Sequence, residues 1–151
     1  MNWEQYQKEF ECDDGSLRDI YIFETSLDDW QKLLDFIREG LYTFEYKVDG
    51  NAVTLPERAS TIFECENYGK LLSVNVGNLL LNCHFFAADE IELDIDPREV
   101  KGERELEDLF DFLRRLCRIS NKQTVLTPEN GPEFWIFRFN PGINDPEYQA
   151  S

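Results

Sequence analysis

Acidic side chains occupy every second position of one short segment. In EIELDID (residues 90–96), Glu90, Glu92, Asp94 and Asp96 alternate with three aliphatic residues. Because successive side chains of a β-strand point to opposite faces, this pattern predicts a strand with one aliphatic face and one acidic face. The acidic face could bind a metal ion, catalyse acid–base chemistry, attract a basic partner or simply meet water.

Carboxylate chemistry needs more than this spacing. Neighbouring acids on one strand face are roughly 6.5 to 7 Å apart, so Mg²⁺ or Ca²⁺ would need a further acid from another strand. The sequence has no EF-hand pattern. An open strand face also does not separate the pKa values of two carboxyl groups, as glycosidase-type catalysis requires. We predict no metal site and no cofactor, and a carboxylate-lined small-ligand or metal-assisted enzyme remains the alternative.

Other catalytic arrangements are disfavoured by residue type and spacing. The single histidine, His84, directly follows Cys83, so the two side chains should point to opposite faces of a strand. The other cysteines, Cys12, Cys65 and Cys117, form no C-x-x-C pair, which predicts reduced thiols and no zinc site. Phosphate-binding glycine motifs are absent. We therefore assign no catalytic residue, and the sequence favours a non-catalytic protein while it leaves an enzyme open.

The charge is strongly negative and unevenly distributed. The chain has 31 acids and 15 bases in 151 residues, a net charge of -16. Residues 1–50 contain 13 acids and 5 bases, residues 51–100 contain 9 and 3, and residues 101–151 contain 9 and 7. Such a surface repels phosphate backbones and anionic lipids, so we expect no direct binding to nucleic acid or membrane. Few bases are near residues 90–96 in sequence to neutralise them.

No segment of the sequence is typical of export or membrane insertion. The first residues, MNWEQYQKEFECDD, have neither the basic nor the apolar region of a signal peptide. No apolar run approaches the roughly 20 residues that cross a bilayer. We expect a cytoplasmic protein.

Two segments have the periodicity of helices. SLDDWQKLLDFIREG (residues 26–40) begins with Ser26 as N-cap and Asp29 three residues later, and Gly40 is predicted at the C′ position. A second helix is predicted from Gly102 or Glu103, with an apolar stripe that continues to Cys117.

The remaining segments predict strands joined by short turns. Strands are expected at residues 17–23, 42–55 (a hairpin with its turn at Asp49-Gly50), 60–66, 71–77, 79–86, 90–96, 123–127 and 134–139. Tyr68-Gly69 and Gly77-Asn78 supply further turns. Short connections favour antiparallel pairing. We predict one α+β domain over residues 1–151, with a twisted, mainly antiparallel sheet of about 7–9 strands, two main helices on one face and a loose tail at residues 140–151.

In its general character the chain resembles bacterial immunity proteins and other nuclease or toxin inhibitors. The resemblance lies in small size, acidity and the lack of catalytic apparatus, and it transfers no residue. It implies a binding protein that neutralises a basic partner, such as a toxin or nuclease. From the uncompensated charge, and not from the resemblance, we predict that Glu90, Glu92, Asp94 and Asp96 bind this partner. A non-catalytic accessory subunit or homodimer is the further alternative. Three tyrosines, which could also pack at the edge of the core, are candidate interface residues: Tyr42, Tyr46 and Tyr68.

Overall fold

The predicted antiparallel sheet is present and has nine strands. The computed structural model describes residues 3–40, 42–65 and 69–151. Within these residues the strands are β1 (Arg18–Phe23), β2 (Phe44–Val48), β3 (Asn51–Val53), β4 (Lys70–Val76), β5 (Leu79–Ala87), β6 (Glu90–Ile95), β7 (Thr124–Pro128), β8 (Phe137–Phe139) and β9 (Glu147–Tyr148). Their order across the sheet is β3-β2-β4-β5-β6-β1-β7-β8-β9, and every neighbouring pair is antiparallel. The first strand therefore lies near the middle, between β6 and β7.

Helices cover one side of this sheet, as predicted. The α-helices are α1 (Trp3–Tyr6), α2 (Leu27–Glu39), α3 (Ala59–Glu64) and α4 (Glu103–Ser120), and 3-10 helices span Gln7–Phe10 and Pro97–Glu99. The long helices α2 and α4 contact each other, and α4 also contacts β4, β7 and β8. The fold is α+β, with the two main helices on the same face of the sheet.

The start of α2 follows the predicted capping box. The Ser26 hydroxyl accepts a hydrogen bond from the Asp29 backbone N–H at 3.4 Å, and the Asp29 carboxylate accepts one from the Ser26 N–H at 3.0 Å. Gly40 ends the helix with φ -79°, so it does not adopt the predicted left-handed C′ conformation. Glycine is needed there for space, because a Cβ atom would lie 2.9 Å from the Phe36 carbonyl oxygen.

The hairpin between β2 and β3 turns at the predicted residues. Asp49 and Gly50 have φ values of 50° and 82°, as a type I′ turn requires at both central positions.

One hydrophobic core fills the space between the sheet and its helices. Trp30 of α2 is fully buried, stacks on Phe85 of β5 with ring centroids 5.0 Å apart, and donates its indole N–H to the Ala88 carbonyl at 3.1 Å. Large side chains of α4 and β8 complete the core: Phe110, Phe112, Phe137 and Phe139. The side of the sheet away from the helices, here called the open face, carries the alternate side chains.

The prediction of a strand at residues 60–66 is wrong, because most of this segment is the helix α3. Ala59, Ile62 and Phe63 are spaced i, i+3 and i+4, so a helix places all three on one side. Ala59 and Ile62 are buried, and Phe63 contacts Trp30 edge-on at 5.1 Å. A strand would have separated Ile62 from Phe63. Residue Glu66 of this prediction, and Tyr68 of the predicted turn, lie outside the described residues.

The strand predicted at residues 134–139 is shorter than expected. Backbone hydrogen bonds from Gly131 to Pro128 and from Phe134 to Gly131, both 3.0 Å, form tight turns before it. The residues in these turns do not adopt an extended conformation, so β8 begins at Phe137 and not at Phe134. Phe134 is exposed in this connection.

The prediction of a loose tail at residues 140–151 is also wrong. Glu147 and Tyr148 form β9 and pair with Arg138 and Phe137 of β8. The Tyr148 ring stacks on Phe137 at 5.1 Å, so an aromatic contact reinforces the short strand. The C-terminal segment extends the sheet.

Candidate functional site

Three of the four alternating acids share the open face. Glu90, Glu92 and Asp94 belong to β6, whose intervening aliphatic side chains are all buried in the core. The three carboxyl-bearing residues are partly exposed. The predicted division of this strand into an aliphatic and an acidic face is confirmed.

Asp96 does not join them, because it follows the strand and caps the 3-10 helix Pro97–Glu99. Its carboxylate accepts hydrogen bonds from the Arg98 backbone N–H at 3.0 Å and from the guanidinium Nε and Nη2 at 2.9 and 2.8 Å. The side-chain hydrogen bond from Arg98 lowers the pKa of Asp96. Asp96 is therefore neutralised by Arg98 and has a local structural role as a helix cap.

The strands on either side of β6 bring no lysine or arginine to the open face. On β1, the residues opposite Asp94, Glu92 and Glu90 are Asp19, Tyr21 and Phe23. On β5, the residues opposite Asp94 and Glu92 are Asn82 and His84. A fourth acid thus joins those of β6, and we call Asp19, Glu90, Glu92 and Asp94 the acidic cluster. Sequence reasoning missed Asp19 because no local pattern shows that β1 inserts beside β6.

His84 is the basic side chain within the acidic cluster. Its Nε2 atom lies 2.6 Å from Oδ2 of Asp94. The other Asp94 oxygen accepts a hydrogen bond from Asn82 at 3.4 Å, and the Asn82 amide oxygen accepts one from the Ser73 hydroxyl at 2.8 Å. The hydrogen bond to Asp94 raises the pKa of His84, which favours the imidazolium form. This pair can respond to pH near neutrality.

Two acids of the cluster, Asp19 and Glu92, have raised pKa values. Asp19 is only 5% exposed, and its carboxyl accepts hydrogen bonds from the Tyr21 hydroxyl at 3.2 Å and the Asn130 N–H at 2.8 Å. Burial raises the pKa of Asp19 despite these bonds. Burial and the nearby Asp19 charge raise the pKa of Glu92. Both carboxyl groups would gain from a cation placed over the face.

Two exposed phenylalanines lie at one end of the acidic cluster. Phe86 is 71% exposed and Phe23 is 38% exposed, and Phe23 is directly opposite Glu90. Phe86 stacks on His84 with ring centroids 5.1 Å apart and planes 2° from parallel. The alternation of β5 could have shown that Phe86 faces away from the buried Phe85.

The tyrosines considered as interface residues pack in the core where they are described. Tyr46 is buried, and Tyr42 packs edge-on against Phe36 and Phe112 at 5.5 and 5.3 Å. Their predicted alternative, packing at the edge of the core, is confirmed. Tyr68 lies outside the described residues.

The open face presents acidic, imidazole and aromatic side chains, and no thiol beside His84. Cys83 is fully buried on the core side of β5, where burial raises the pKa of its thiol, so it is no partner for His84. Within residues 3–40, 42–65 and 69–151, no three His, Cys, Asp or Glu side chains are placed to hold a metal ion.

Comparison of the chain with protein-family models, curated proteins and solved structures found no match. Among the described helices, none combines the length and apolar character needed to span a membrane. Function is therefore inferred from the open face itself.

Proposed function

We propose that this protein is a cytoplasmic binding protein of the immunity or inhibitor type, which docks its acidic cluster on a basic protein such as a toxin or nuclease. The observation that carries the proposal is the absence of lysine and arginine from the open-face positions of β1 and β5 beside β6, all of which are described. The fold brings a fourth acid to the cluster where it could have brought a base.

A basic partner would stabilise the acidic cluster more than solvent does. Like charges directly opposite each other on paired strands are destabilising, and Asp19 and Asp94 are such a pair. A basic partner would relieve this repulsion and would also be steered toward the face during association. Relief of the repulsion present in the free protein would thus contribute to the free energy of binding to a cationic surface.

The exposed phenylalanines supply the apolar part of such an interface. Binding energy concentrates in a few anchors that become fully desolvated, with charged groups around them. Phe86 projects from the face beside the acids, and Phe23 lies across β6 from it. We expect Phe86 to be the main anchor and the acidic cluster to set orientation and association rate.

A cross-linking experiment identifies the partner. A photoreactive phenylalanine analogue at position 86 is placed in the full chain, and the captured protein is identified and purified. We expect a protein with a net positive charge, whose Kd for the unmodified chain weakens at least about tenfold as salt rises from low to physiological concentration. Capture of only acidic proteins would contradict the proposal.

Charge-reversed variants then test the face. Glu92→Lys and Asp94→Lys should weaken binding of the purified partner at least about tenfold, since each replaces attraction by repulsion. Glu107→Lys, the same charge change at an exposed position of α4, is the matched control and should have little effect. Equal loss in all three variants would mean that net charge alone matters, and undiminished binding in the first two would exclude the face.

The milder variant Glu92→Gln separates binding from folding. Because the folded-state pKa of Glu92 is raised, its ionised form opposes folding, and this penalty develops as pH rises from the unfolded pKa through the folded pKa. At neutral pH we therefore expect Glu92→Gln to keep or raise the melting temperature while it weakens partner binding.

A further inference from the structure

A cavity lies between α4 and the loop that connects β8 to β9, and it has the opposite charge character to the open face. Its volume is about 300 Å³, and Arg114 and Arg118 line it together with Ile143 and Asn144. Cys117 and Phe139, which also line it, are almost fully buried and form an apolar floor. A basic rim over an apolar floor is unexpected in a chain with a net charge of -16.

The two guanidinium groups of this cavity are not neutralised. No carboxylate of the described residues lies within ion-pair distance of Arg114 or Arg118, whereas Arg115 on the same helix pairs with Asp111 at 3.1 Å. Arg114 donates its Nε–H to the Asn144 carbonyl at 2.7 Å. That bond holds the loop against the helix and fixes one guanidinium at the rim.

Two positive charges on successive turns of one helix match a dianion better than a single carboxylate. A phosphate monoester carries a charge of about -1.5 to -2 at neutral pH and has three acceptor oxygens, and arginine is the side chain best suited to bind it. The apolar floor would contact the ester group. The volume is at the lower end of the roughly 300–1,000 Å³ typical of ligand sites, which favours a small ester.

We propose that this cavity is a binding site for a small phosphate monoester with an apolar substituent, held by Arg114 and Arg118 above Cys117 and Phe139. The site is on the α4 side of the sheet, away from the acidic cluster. At physiological salt the screening length is about 8 Å, so distant acids reduce the local attraction only partly. The site does not depend on the proposed partner binding.

Titration of the full chain with phenyl phosphate, followed by ¹H–¹⁵N NMR, tests the site. We expect saturable shifts at the backbone amides of Gly142, Ile143 and Asn144. Inorganic phosphate should bind more weakly because it cannot use the apolar floor, and benzoate should bind more weakly because it carries one charge. The proposal would be overturned if the shift changes caused by phenyl phosphate did not saturate by about 10 mM, a concentration well above the Kd of ordinary ligands. Benzoate binding with the same Kd as phenyl phosphate would also overturn it.

Matched variants separate the site from general electrostatics. Arg118 is exposed, so Arg118→Gln should fold normally, and we expect it to weaken phenyl phosphate binding at least about tenfold. Arg115→Gln removes the same charge one turn away, from an arginine that does not line the cavity, and should change the Kd less than about twofold. Equal weakening by both variants would show that only net charge matters.

Discussion

The position of His84 couples the charge of the open face to pH near neutrality. The sequence contains one histidine, and the fold places it within 2.6 Å of an Asp94 oxygen, inside a group of acids. When His84 is protonated, it neutralises part of the acidic cluster; when it is neutral, the full negative charge is presented. Binding of a basic partner should therefore strengthen as pH rises through the pKa of His84.

We predict a pKa for His84 above its ordinary value of 6.5, because the hydrogen bond to Asp94 favours the imidazolium. The single histidine gives one Cε1–H resonance, so an NMR titration measures this value directly. Asp94→Asn should bring the midpoint back toward 6.5, while Asp96→Asn, which affects a carboxylate paired with Arg98, should not. A wild-type midpoint at or below 6.5 would contradict the prediction.

The same pair should make stability depend on pH. Because the folded-state pKa of His84 is raised, its stabilising contribution is complete below the unfolded pKa of 6.5 and disappears as pH rises through the folded pKa. The free energy of unfolding of the wild type, measured relative to Asp94→Asn by urea denaturation, should therefore be largest below pH 6.5 and decrease above it. If the difference in free energy of unfolding between the wild type and Asp94→Asn stays constant or grows as pH rises above 6.5, the protonation of His84 is not linked to stability in this way.

At the level of elements, the sequence predicts best where a long repeat combines with end signals. The helix α2 has an apolar stripe, Ser26 and Asp29 at one end and Gly40 at the other, and all three residues mark its ends in the structure. The secondary structure of short apolar segments is harder to predict, because the same residues are compatible with a strand or a helix. Residues 60–66 fit a strand by composition, but tertiary packing of Ile62 and Phe63 beside Trp30 selects a helix.

The capping box at the start of α2 should make a measurable contribution to stability. Ser26→Ala leaves the Asp29 N–H without its acceptor, and loss of such a cap typically lowers the free energy of unfolding by about 1 kcal/mol. Ser60→Ala within α3 is the control and should change it by less than about 0.5 kcal/mol, because alanine has the higher helix propensity. Both are measured by urea denaturation. Equal effects would show that the cap contributes nothing specific.

At the level of the whole molecule, the candidate site depends on strand order, which the sequence does not show. Alternation within β6 predicts an acidic face, but the insertion of β1 beside it is a long-range pairing set by the complete core. That pairing supplies Asp19 and Phe23 to the site. It also decides that the open-face residues of β1 beside the acids include no lysine or arginine, the observation on which the proposed function depends.

The two ends of the described chain meet through Glu9. This side chain is only 1% exposed, and its carboxyl accepts hydrogen bonds from the Tyr148 hydroxyl at 2.7 Å and from the Ser151 hydroxyl at 2.5 Å. The Tyr148 ring also packs edge-on against Tyr6 at 4.9 Å. The N-terminal segment and β9 therefore hold each other against the sheet.

Tyr148→Phe tests this closure because it removes only the hydroxyl and keeps the aromatic packing. Removal of a hydrogen-bond donor from a buried carboxyl group typically lowers the free energy of unfolding by about 1–3 kcal/mol. The control is Tyr42→Phe, since the Tyr42 hydroxyl has no hydrogen-bond partner among the described residues, and a change below about 0.5 kcal/mol is expected there. Urea denaturation measures both, and hydrogen exchange at Arg138 should accelerate in Tyr148→Phe if β9 opens locally. Unchanged stability and unchanged exchange would show that Glu9 does not hold the C-terminal segment, and that β9 depends on stacking against Phe137 alone.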